Sequence, residues 1–167
     1  MKFGSVPGKL WNLPNTLLGI GYGAGGHLLG LAAHALRWRA TRPVVRIGDN
    51  AIQFLHNPMG GLGALTLGNA MIINGDPYDP QDPFWYPSRR YPAGVDPTTF
   101  ENGHSIGDHE RQHTLQGELL GPAYLPSNLI GGLVAVLSGQ GWHGERNWNE
   151  RGPQMNPPRP WTARRRS

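Results

Sequence analysis

The pair His109 and His113 constrains this chain more than any other feature in it. Residues four apart lie on one face of an α-helix, one turn above the other. On a helix the two imidazoles can therefore present nitrogens to a single ion. Glu110 follows the first histidine, so the stretch His109-Glu110-Arg111-Gln112-His113 reads HExxH. In that pattern the histidines bind zinc and the glutamate works as general base on a water that the metal activates.

Three fixed residues make a short pattern, and the flanks strengthen it. Asn, Ser, Gly and Asp between positions 102 and 108 suit a helix start. Ile106, His109, His113 and Gln116 share one side of the predicted helix, and Leu115, Leu119 and Leu120 are expected on the core side. Gly121-Pro122 is expected to end it.

The chain has 167 residues, enough for a single domain over 1–167 with one core. Its 25 glycines and 16 prolines point to many turns. With no cysteine, a zinc site must use His, Asp or Glu. The net charge of +4 is concentrated near the end, at Arg159 and Arg164 to Arg166. No aromatic ladder accompanies these arginines, so a nucleic-acid partner is not expected. No signal peptide is expected either, because no apolar run follows Lys2.

In chain order, residues 1–16 read as an irregular tail docked on the domain. The apolar span from Leu17 to Leu36 nears membrane-crossing length. Its glycines at 23, 25 and 26 and its histidines at 27 and 34 favour two helical pieces instead, broken at the glycines and buried against the core. Membrane contact is accordingly not expected. Pro43 to His56, interrupted by Gly48-Asp49-Asn50, reads as strand, turn, strand. Ala64 to Ile73 reads as one further β segment, bulged at Gly68. The Asp-Pro alternation from Asp76 offers oxygens to calcium, but it fits turn initiation better. Leu129 to Leu137 reads as a helix begun by Asn128 and stopped at Ser138-Gly139. Residues 152–167 read as an irregular tail.

A catalytic zinc needs a third protein ligand. Glu150, at the start of a short helix near Asn147, is the first choice, followed by Glu145 and His143. A donor for a developing oxyanion is also needed. Tyr124 is a candidate, although a buried aromatic with a satisfied hydroxyl would look the same. An edge strand within 64–73 could receive an extended substrate.

His109 to Gln116, followed by Leu120-Gly121-Pro122-Ala123-Tyr124-Leu125-Pro126, resembles the minimal zincin-like domains of bacteria. These domains occur in Rhs-type polymorphic toxins and at the C-terminus of a type VI secretion spike protein. Asn50 to Phe54 and Ala64 to Asn69 look like that family's β-hairpin, and Trp148 to Pro153 is similar to the region of its third ligand. The likeness spans roughly residues 10–160. Gln112 stands where most relatives carry glycine.

The resemblance implies an α+β zincin-like fold with a small antiparallel sheet or hairpin and an HExxH helix packed on further helices. It implies zinc on His109, His113 and Glu150, with Glu110 as catalytic base. It further implies an antibacterial effector that cuts a protein or peptide in the periplasm of a target bacterium. A secretion-machine component and an immunity protein would be its partners. Two alternatives stand beside it: a non-catalytic zincin-like binding module, and a membrane-active effector using residues 17–36.

Overall fold

The structure is a computed structural model and describes residues 5–61, 63–76 and 106–155. In order these form α1 (Val6–Trp11), α2 (Leu13–Ala35), β1 (Val44–Gly48), β2 (Ala51–Leu55), β3 (Ala64–Leu67), β4 (Ala70–Ile73), α3 (Ile106–Leu120), α4 (Tyr124–Leu137) and α5 (Trp148–Met155). The class is α+β. The turn expected ahead of α3 at 102–105, the Asp-Pro segment with its calcium reading, and the arginine-rich end lie outside the described residues.

The strands form one sheet in the order β1-β2-β4-β3. β1 and β2 pair antiparallel, closed by Asp49 and Asn50 at φ 48° and 66°. A two-residue hairpin with both central residues left-handed matches the twist of its strands, and Asp and Asn tolerate that conformation. The expected single bulged segment is instead a second hairpin. Leu67 pairs with Ala70, and Gly68 turns the chain at φ 65°. The Asn69 side chain holds this turn by donating to Asn50 O and Glu118 Oε1, both at 2.9 Å.

The sheet is mixed, not wholly antiparallel as expected, because β2 and β4 run parallel. After β2, Asn57 caps a 3-10 turn at Pro58–Gly60. The chain then forms β3 on the outer edge, and β4 returns between β3 and β2. Alternation along β4 builds two cores. Ala70 and Ile72 meet Phe54 and the α2 residues Ile20 and Ala24. Met71 and Ile73 meet Ala51, Leu55 and the α3 residue Ile106. The sheet thus lies between α2 and α3.

Several elements differ from their sequence reading. Residues 6–11 are helical, capped by Ser5, whose Oγ accepts from the Gly8 amide, so the tail is not irregular there. Helix α5 likewise continues to Met155. Helix α2 is one unbroken helix. Its glycines at 19, 23, 26 and 30 are buried along one side and let it approach the sheet. A Cβ at Gly23 would overlap the Phe54 ring, and one at Gly26 would overlap the Asn57 side chain. The leucines expected in the core point outward instead: Leu17, Leu18, Leu28 and Leu29 are each about three-fifths exposed. In α3 the expected leucine side is not the core side, since Leu119 is exposed while Gln112, Thr114, Gln116 and Glu118 are buried. Buried polar groups need partners, and Glu118 Oε1 has the amides of Asn50 and Asn69. Helix α4 begins at Tyr124 instead of Asn128, following a 3-10 turn at Gly121–Ala123.

Candidate metal centre

Helix α3 sets His109 and His113 one turn apart on its buried side, with Nε2 atoms 3.1 Å from each other. Gln116, one turn further on, orients the second ring. Its Nε2 donates to Asn149 O at 2.8 Å, which leaves Oε1 facing His113 Nδ1 at 3.0 Å. An amide oxygen only accepts, so Nδ1 carries a proton and Nε2 is directed into the site.

Glu150 arrives from α5, and three local features place it. Asn147 caps the helix by accepting from the Asn149 amide at 3.2 Å. Trp148 Nε1 and Asn149 Nδ2 both donate to Ser127 Oγ at 3.0 Å, which fastens α5 to α4. Gly131 leaves room on α4, where a Cβ would overlap Asn147. Glu150 therefore lies in the first turn of α5, buried, with Oε2 3.3 Å from His109 Nε2 and 3.4 Å from His113 Nε2. Asn128 Nδ2 lies 3.4 Å from the other oxygen, Oε1, and Oε2 has no well-formed hydrogen bond.

These three side chains form a group able to hold a metal ion. The spacing supports that use. Ligand atoms about 2.05 Å from a tetrahedral zinc stand roughly 3.3 Å apart, and the three separations here are 3.1, 3.3 and 3.4 Å. Of the sequence candidates for third ligand, Glu150 is in the group. His143 stands at the rim, its Nε2 4.0 Å from Glu150 Oε2 and its side chain 64% exposed. Glu145 is exposed and outside the group.

A cleft of about 300 Å³ opens beside the three side chains, lined also by Glu110, Tyr124, Asn128 and His143. A second cavity of about 450 Å³ shares Leu65, His109, Glu110 and His143 with it and extends to Tyr22. Glu110 is buried, and its Oε2 accepts from Thr66 Oγ1 at 2.6 Å. Thr66 is on β3, so the edge strand itself positions this carboxylate. The Tyr124 hydroxyl is 3.4 Å from Asn128 Nδ2. Thr66 and Asn128 were missed by sequence reasoning. Each looks like an ordinary strand or helix residue, and only the meeting of distant elements gives it a role.

The electrostatics follow from burial and proximity. Burial alone would depress His113, but the charge of Glu150, with help from Glu110 and Gln116, pushes it up to about 9. Burial would raise Glu150, yet His113 and His109 hold it well below the usual carboxylate range. Burial, and then the charges of Glu150 and Glu110, keep the Tyr124 hydroxyl protonated well above its ordinary range.

A pH dependence of the metal-free protein follows. His113 titrates higher folded than unfolded, so its contribution is full below pH 6.5 and is lost as pH rises through about 9. Glu150 contributes above its ordinary 4.5 and loses that contribution as pH falls through its lowered folded value. Thermal unfolding of chelator-treated protein is therefore expected to show a falling midpoint between pH 6.5 and 9. The underlying loss is on the order of a few kcal/mol. Metal uptake at neutral pH should displace about one proton. A midpoint that rises over that interval would contradict the pairing.

Comparison with protein-family models, curated proteins and solved structures found no match for this chain.

Proposed function

We propose that this chain is a zinc-dependent metallopeptidase in which His109, His113 and Glu150 hold the ion. One observation carries the reading. A buried carboxylate oxygen without a well-formed hydrogen bond faces two imidazole nitrogens at tetrahedral-edge spacing, on the wall of an open cleft. Hydrolysis also needs a base and an oxyanion donor in that cleft, and Glu110 and Tyr124 line it.

Zinc, when bound, supplies Lewis acidity toward water and the scissile carbonyl. Glu110, steadied by Thr66, takes a proton as the water attacks and passes it to the departing amine. Tyr124 keeps its proton and donates a hydrogen bond to the oxygen that gains charge. Strand β3 is at the sheet edge, and Ala64 to Leu67 line the cleft. An extended peptide added along that edge would lie across the metal ligands. The resemblance of residues 109–126 to bacterial toxin domains supports an antibacterial effector as the setting. Its place of action would be the periplasm of a rival cell.

Metal analysis of the reconstituted protein tests the ligand set. About one zinc per chain is expected. Glu150→Ala should reduce zinc to a trace, whereas Glu145→Ala and His143→Ala should retain it. Full zinc occupancy in Glu150→Ala would mean that the carboxylate is not a ligand.

A further inference from the structure

The described surface is unusual on two helices. Helix α2 has no Asp, Glu, Lys or Arg, and its exposed positions include Leu17, Leu18, Leu28 and Leu29. On α4, which has none either, Leu129, Ile130, Leu133, Val134, Val136 and Leu137 are all exposed. Soluble proteins rarely leave apolar patches of this extent facing water. On its buried side, α2 holds the 3-10 turn that leads into α4, where Asn15 Nδ2 donates to Gly121 O at 2.8 Å.

Both helices are followed by an exposed guanidinium, and α2 also by an exposed indole. Beyond α2 come Arg37 and Trp38, the latter 79% exposed. Beyond α4 comes the exposed Arg146, whose Nη1 donates to Ser138 Oγ at 3.1 Å, while Trp142 packs over the buried Gly132 and lines the cleft. Tryptophan prefers the headgroup level of a membrane, and cationic side chains beside an apolar helix face are attracted to anionic lipid. Of the residues that argue against a membrane role, Gly23, Gly26 and His27 lie toward the sheet, and His34 Nδ1 is hydrogen-bonded to Arg39 O at 3.1 Å. The four buried glycines of α2 face the sheet, and His27 stacks edge-on to Phe54.

Neither helix is placed to cross a bilayer. Helix α2 has one side sealed to the sheet, so lipid cannot surround it. The run His109–Leu137 is long and apolar enough by length and composition alone. Its apolar part, however, is the 14-residue α4, roughly 21 Å long against a hydrocarbon core of about 30 Å. Both faces instead suit a helix lying in the plane of the interface. The cleft is placed to use such a seat, because its cavities are lined by Tyr22 of α2 at one end and Leu129 of α4 at the other.

The geometry points to a bilayer-docking surface: the outer faces of α2 and α4 seat the protein on anionic phospholipid, and the cleft cuts peptide held at that surface. The second clause rests on the peptidase reading, and the first does not.

Flotation with vesicles of equimolar phosphatidylcholine and phosphatidylglycerol tests the seat. The parent chain should float with them, and less so with phosphatidylcholine alone. Two double variants, Leu28→Glu with Leu29→Glu and Leu133→Glu with Leu137→Glu, should each lower vesicle binding more than about tenfold. Unchanged circular dichroism and zinc uptake would show that these variants still fold. Glu110→Gln should float like the parent, so the seat can be read even if no peptidase activity is found. The substrate clause is tested with one random peptide library, either free or carrying a palmitoyl anchor on the vesicles. The face variants should cut the free library as the parent does and the anchored library more slowly. Equal loss on both libraries, or on neither, overturns that clause. A parent that ignores vesicles overturns the seat, as do variants that bind vesicles like the parent. A lipid-independent dimer dispersed by the same substitutions would assign the faces to a second copy and also overturn it.

Discussion

Glu110→Gln is expected to lower the turnover of peptide cleavage about a thousandfold, within the range that a positioned general base contributes. Zinc content and thermal stability should stay close to those of the parent. Glutamine has the shape of glutamate, and its amide oxygen can still accept the hydrogen bond from Thr66 that glutamate Oε2 accepts at 2.6 Å. It cannot take up a proton from water. The residue adjoins His109 in sequence but is outside the group that can hold the metal, so the ion should remain. Single-turnover rates measured beside metal analysis separate the two effects. Cleavage at the parental rate by a zinc-loaded variant would place the base elsewhere.

The second large effect concerns α2. Gly19→Ala is expected to destabilise the protein by about 2 kcal/mol or more, whereas Gly21→Ala should stabilise it by about 0.5–1 kcal/mol. Both changes gain the same helix propensity, so the difference between them isolates packing. A Cβ at Gly19 would overlap the Leu67 carbonyl oxygen and stand 2.8 Å from Ala70 Cβ. Backbone cannot step aside as a flexible side chain can. A Cβ at Gly21 meets nothing within 4 Å. Urea unfolding of the two variants measures the contrast. Because Leu67 neighbours Thr66 on β3, Gly19→Ala should also disturb the hold on Glu110. Equal stabilisation by both substitutions would mean that the glycine row does not seat α2 on the sheet.

The glycines show why part of the fold was hard to read. In α2 they suggest a break, because glycine is a poor helix former. At 19, 23, 26 and 30 they recur every three or four residues, the spacing of a single helix face. Whether such a face receives a strand or is a point of fracture depends on whether another element covers it. The leucines posed the same problem in reverse. Apolar side chains are usually assigned to a core, but here the glycine side was already filled by Phe54, Leu67 and Ala70. The sheet raised a third difficulty. Asn69 reverses the chain only with Thr16 Oγ1 accepting from its amide and Glu118 accepting from its side chain. Both partners are distant in sequence.

What the chain alone determined was local. The imidazoles of His109 and His113 converge because a helix repeats every 3.6 residues. The Asp49-Asn50 hairpin and the stop after Leu137 follow from the conformations those residues tolerate. The third member of the metal group was a choice among Glu150, Glu145 and His143 until the tertiary structure decided it. The Asn147 cap and the Ser127 bonds turn the Glu150 carboxylate of α5 toward His113 and His109 of α3, 37 and 41 residues away in the chain. Spacing along a chain specifies angles within one element. Only packing between elements specifies the distances across a site.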